Sequence, residues 1–81
     1  MIILNSARKH GISDVDMFKV ANDPTVAYIL RAVLEKNLLL GFDTKARPLE
    51  IVTDTGNDGT LYIIHADKIR KKYEKLPNEV L

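Results

Sequence analysis

The chemistry-bearing residues of this chain concentrate in Ile63-Ile64-His65-Ala66-Asp67-Lys68-Ile69-Arg70-Lys71-Lys72-Tyr73, where a β-rich run ends at a histidine and turns into a basic segment. Histidine as a residue type moves protons near neutral pH, and His10 and His65 are the two present. Arginine holds a phosphate through two parallel hydrogen bonds, which makes Arg47 and Arg70 better phosphate clamps than any lysine. Tyr73 offers a ring for stacking and a hydroxyl for donation. A proton acceptor, cations and a proton donor together suit acid–base chemistry at a phosphate group.

Each of these residues also has a plainer structural role. His10 immediately precedes Gly11, so its imidazole can simply meet the dipole at the end of a short helix. His65 closes a strand, and its exposure depends on which sheet face the helices cover. Arg70 stands four residues before Glu74 and can form a surface ion pair. Tyr73 falls with Ile69 and Leu76 at i, i+4 and i+7, an apolar stripe that reads as core with only the hydroxyl reaching a site. Glu50 ranks below His65 as a base, since a strand glutamate is usually the polar side of a half-exposed sheet. Lys68, Lys71, Lys72 and Lys75 share another face of the expected last helix, and residues 66–75 carry five Lys or Arg against Asp67 and Glu74, while the whole chain is only +1. That face, with Lys9, Arg8 and Lys45, is either a solvated surface or a sequence-independent nucleic-acid-binding one.

The elements that must position these residues follow from periodicity and punctuation. At 81 residues, with 46% hydrophobic and 28% charged residues, the chain reads as one globular domain over residues 1–81, with two packed layers as its limit. It contains no cysteine, which excludes disulfides and thiolate metal sites and fits a cytoplasmic setting. No apolar run approaches membrane-spanning length and no signal-peptide pattern opens the chain, so no membrane partner is expected. Nor is a cofactor or metal: there is no glycine-rich phosphate loop, no His-x-x-x-His pair and no carboxylate cluster at ligand spacing.

Ile2 to Leu4 can form a short strand, and Ser6 can cap a helical turn over residues 7–10 that Gly11 ends. Ser13 is a good N-cap for a second helix, well buried, with its polar edge at Asp16 and Lys19, stopping near Asn22-Asp23 before Pro24. Residues 26–34 fit a helix and a strand about equally. Residues 37–42, 49–54 and 60–65 read as strands, and Thr55-Gly56-Asn57-Asp58-Gly59 is the clearest hairpin turn.

With these elements placed, the chain resembles the BrnT family of bacterial toxins, small ribonucleases of the RelE/ParE-like group that pair with a DNA-binding antitoxin. Three blocks carry the resemblance: Arg8-Lys9-His10-Gly11-Ile12-Ser13 followed by Asn22-Asp23-Pro24; Leu38-Leu39-Leu40-Gly41 followed by Arg47-Pro48-Leu49-Glu50-Ile51-Val52; and Ile64-His65-Ala66 with Arg70 and Tyr73. The resemblance implies a strand at residues 26–34. It implies an α+β fold with two N-terminal helices, a mainly antiparallel sheet of four to five strands and a C-terminal helix, RelE-like in layout. It further implies a metal-independent endoribonuclease that suppresses translation, acting on single-stranded RNA or ribosome-bound mRNA and held by a cognate antitoxin. Arg70, Arg47 and Lys72 would stabilise the phosphate, His65 or His10 would move protons and Tyr73 would orient the RNA. The rival expectation is a non-catalytic protein on the same fold that binds a protein partner, which the mild net charge favours.

Overall fold

The computed structural model describes residues 1–74. The fold is α+β: β1 (Ile2–Ile3), a 3-10 turn (Asn5–Arg8), α1 (Asp14–Asn22), β2 (Val26–Arg31), β3 (Lys36–Phe42), β4 (Pro48–Thr55), β5 (Leu61–Lys68) and α2 (Lys71–Glu74). The five strands form one mixed sheet in the order β1-β5-β4-β3-β2. β1 runs parallel to β5 at one edge, and the other neighbours are antiparallel. Among the described residues no helix is long and apolar enough to cross a membrane.

One sheet face carries the core. Met17 and Val20 of α1 and Ala7 of the 3-10 turn pack on Leu39, Leu49, Ile51, Ile63 and Ala66. Close approach of α1 to β3 depends on Gly41, where a Cβ would lie only 3.2 Å from Val20 Cγ1. Ser13 caps α1 as its sequence position suggests, its Oγ accepting from Asp16 N–H at 3.2 Å. Asp16 lies buried, not at a solvated edge, because its carboxylate accepts from the N–H and the hydroxyl of Thr44 at 2.9 and 2.8 Å, fastening α1 to the β3–β4 turn. Val15 takes the outward position instead, 67% exposed.

Strand register sorts the residues of the opposite face, because directly paired residues share a side. Leu40, Glu50 and Asp67 form one cross-strand row, and Leu38, Val52 and His65 form the next. β5 changes phase between these rows and its own start: Val52 pairs with His65 but Thr53 pairs with Ile63, leaving Ile64 as the extra residue of a β-bulge. Strict alternation would put Ile63 and His65 on the same face. The bulge sends Ile63 into the core and His65 to the other side. The bulged Ile64 carbonyl accepts from Ser6 Oγ at 2.7 Å.

Two further expectations from the sequence are corrected. The first N-terminal helix is a four-residue 3-10 turn, and Ser6 does not cap it, since its hydroxyl is committed to Ile64. The helix expected directly after His65 does not start there. Ala66, Asp67 and Lys68 continue β5 opposite Ile51, Glu50 and Leu49, and the Ile69 N–H reaches Pro48 O at 3.1 Å, so cross-strand pairing outweighs the local helical pattern. Lys68 is therefore a strand residue and Ile69 precedes α2, so neither belongs to the face or the stripe assigned to them. Lys75, Leu76 and the Glu74 side chain lie outside the described residues. Of the ambiguous segment 26–34, Val26–Arg31 form the strand β2, paired with β3, and residues 32–34 belong to the turn between them.

Candidate functional site

Glu50 organises the site. It sits in the middle of β4, with 0% of its surface exposed. Its Oε1 accepts from the backbone N–H of Arg70 at 2.7 Å, and its Oε2 accepts from Arg70 Nε at 2.8 Å. Arg70 Nη2 also lies 2.7 Å from Oε2. The same oxygen lies 2.7 Å from His65 Nε2, across the diagonal of the β4–β5 ladder. Burial pushes the Glu50 carboxyl up, but the bonds from Arg70 and His65 outweigh it and hold the group below its usual range. The hydrogen bond to Glu50 in turn raises Arg70. An ionised carboxylate only accepts, so His65 carries a proton on Nε2 in this pair and its Nδ1 is left for other chemistry.

A second imidazole stands beside the first. His10 follows the 3-10 turn, where Gly11 at φ +72° ends the segment, and its ring meets that of His65 edge-on with centroids 5.8 Å apart. His10 Nε2 is 3.7 Å from Asp67 Oδ2. On the far side of Arg70 stands the ring of Tyr73, with the guanidinium carbon 5.3 Å and Lys72 Nζ 4.9 Å from the ring centroid. Two cations therefore lie against the Tyr73 ring and give this corner of the site a local positive charge. His10, His65, Arg70, Tyr73 and Lys72 are thus one constellation, brought together from opposite ends of the chain.

No family model, curated protein or solved structure matches this chain.

The remaining sequence-expected residues are placed differently. Arg47 and Lys45 occupy the β3–β4 turn, which Asp43 closes by accepting from Lys45 N–H at 2.8 Å, Arg47 N–H at 2.9 Å and Arg47 Nε at 2.7 Å. Burial works against the ionised Asp43, and the bonds from Arg47 and Lys45 overcome it, leaving the group below its usual range. Arg47, Lys45 and Lys68 line an open cleft of about 790 Å³ at the end of the sheet, into which His10 also faces. Lys9 and Lys71 are exposed. Among the described residues no three His, Asp or Glu side chains gather as metal ligands would.

Glu50, expected on the polar side of a half-exposed sheet, is instead fully buried. Its signal was faint: one carboxylate inside the otherwise apolar run Leu49-Glu50-Ile51-Val52, where a half-exposed strand would show strict alternation. Asp67, the neighbour of His10, gave no signal at all.

Proposed function

We propose that this chain is a metal-independent endoribonuclease, the toxin of a toxin–antitoxin pair, with the RelE/ParE-like layout and bacterial cytoplasmic setting that its resemblance to the BrnT family implies. The observation that carries the reading is the joint anchoring of His65 and Arg70 on one buried carboxylate, with the His10 ring 5.8 Å from that of His65. Cleavage needs a base for the 2′-hydroxyl, a cation on the phosphate and an acid for the departing 5′-oxygen.

In the proposed reaction His65 Nδ1 takes the 2′-hydroxyl proton. The 2′-oxygen attacks phosphorus, and the bond from phosphorus to the 5′-oxygen breaks. Protonated His10 gives its proton to that oxygen, so the products are a 2′,3′-cyclic phosphate and a 5′-hydroxyl. Arg70 faces the non-bridging oxygens, and Glu50 fixes both Arg70 and the His65 ring without touching RNA. Tyr73 and Lys72 receive the neighbouring nucleotide. Ribosome-bound mRNA is the substrate in the cell, and a cognate antitoxin covers the basic face.

The test is incubation of purified protein with a defined single-stranded RNA in the presence of chelator, with and without ribosomes. Wild type should generate 5′-hydroxyl ends, and folded Arg70→Ala should generate none. Whole RNA in every lane would favour the second reading, a protein that acts by binding a partner. Ile29, Leu30, Val33 and Leu34 support that reading by exposing an apolar tip on the β2–β3 hairpin, Val33 to 78%.

A further inference from the structure

The cleft at the end of the sheet is not needed to explain the His65–Arg70 constellation, yet the two share His10. From the His10 ring, one direction leads to His65 and Asp67 on the sheet face opposite α1, and the other leads into the cleft. The cleft is lined by the apolar Ile12, Leu49 and Ile69 and by the cations Lys45, Arg47 and Lys68. Its two carboxylates are spent internally: Asp16 on Thr44 and Ser13, Asp43 on Arg47 and Lys45. The Arg47 fork keeps its outer nitrogens available, since its Nε makes the bond to Asp43. A lining that joins apolar side chains with cations matches a flat heterocycle carrying a phosphate, and about 790 Å³ is room for one nucleotide with part of the next.

We infer that this cleft is a nucleotide subsite, taking the base of single-stranded RNA against Ile12 and Ile69 and its phosphate on Arg47 and Lys68. The inference rests on the ribonuclease reading and deepens it. The RNA strand bends over the end of the sheet at His10, with the scissile phosphate on the His65 side and the adjoining nucleotide in the cleft. His10 lines the cleft and also meets His65 and Asp67, which suits the acid that protonates the oxygen linking the two sides.

A titration of the full chain with adenosine 5′-monophosphate, followed by ¹H–¹⁵N NMR, reads this without any cleavage. Saturable shifts at Lys45, Lys68 and Ile69 are expected. Arg47→Ala and Lys68→Ala should each weaken binding about tenfold, whereas Lys36→Ala, at the opposite end of β3, should bind as wild type does. Arg47 also closes a turn, so Lys68→Ala, a change on an exposed strand residue, keeps the test valid if Arg47→Ala fails to fold. Shifts confined to Arg70 and Tyr73, equal weakening by Lys36→Ala, or no saturation would overturn the inference. Binding in the cleft without RNA cleavage would leave the subsite standing and remove the nuclease; cleavage without cleft binding would do the reverse.

Discussion

Replacing Glu50 by Gln keeps the shape of the site and removes its charge. The carboxylate receives three kinds of donor: the Arg70 backbone N–H on Oε1, and the Arg70 guanidinium and His65 on Oε2. An amide satisfies them in neither orientation. With its oxygen at the Oε2 position, its NH₂ faces the Arg70 backbone N–H; turned over, its NH₂ faces the guanidinium. One donor is always left against another. The Arg70 side chain is 45% exposed, so water can take over its charge, and the ion-pair share of the loss is small. The loss comes mainly from the stranded donor and from bonds that are no longer charge-assisted, together about 1–3 kcal/mol. A domain of this size has roughly 4–12 kcal/mol in all, so the variant should fold with a clearly lowered urea midpoint. Hydrogen exchange supplies the specific readout: the Arg70 amide should lose protection while the Ile51 amide keeps most of its own. RNA cleavage should fall with it, because both functional side chains are released. A midpoint within about 0.5 kcal/mol of wild type, with the Arg70 amide still protected, would refute the idea that Glu50 anchors the site.

Acid should unfold the protein progressively. Asp16 and Asp58 are lowered chiefly by backbone N–H bonds from Thr44 and Thr60, and Asp43 and Glu50 are lowered despite burial. The unfolded chain then binds more protons than the folded one as pH drops, so this stability is complete above the ordinary values of 3.8 and 4.5 and is lost as pH falls through the depressed ones. Urea midpoints that stay level between neutral pH and pH of about 3 would contradict it. Met17→Ala, at a fully buried position against the sheet, should cost about 2–5 kcal/mol in chemical denaturation, and a loss under 1 kcal/mol would mean that α1 does not pack as described. His10→Asn should retain the fold and lower RNA cleavage by about 10²–10⁴-fold, and full activity in that variant would remove His10 from the reaction.

The parts of the fold written in local chemistry were legible. Gly56 and Gly59 bracket the β4–β5 turn, where Gly59 takes φ +84°, and Ser13 followed by Asp16 marks the start of α1. Residues 26–34 could not be decided from periodicity, since the same apolar positions satisfy both periods and the strand exists through pairing with β3. The end of β5 was misread for a related reason: Ala66 to Lys68 look helical alone, and their strand form is imposed by β4. His65, Arg70 and Tyr73 were visible as chemistry. Their organiser was not, because the partners that make Glu50 an anchor, His65 and Arg70, lie 15 and 20 positions away in the chain.

The unpaired Ile64 gives this chain an unusual mutational signature. Its side chain is only half-buried, and it stands outside the pairing of β5 with β4. Substitutions at codon 64 should be broadly tolerated, and so should loss of that single codon, because Ile63 and His65 then become neighbours that alternate onto opposite faces without a bulge. Ile63 would stay opposite Thr53 in the core, and His65 would stay opposite Val52 beside Glu50. A deletion elsewhere between Ala66 and Lys68 has no extra residue to absorb it and would turn one side of the strand over. In a deletion scan of β5, residue 64 should therefore stand out as a place where a residue can be lost, at the cost of the Ser6 bond to its carbonyl.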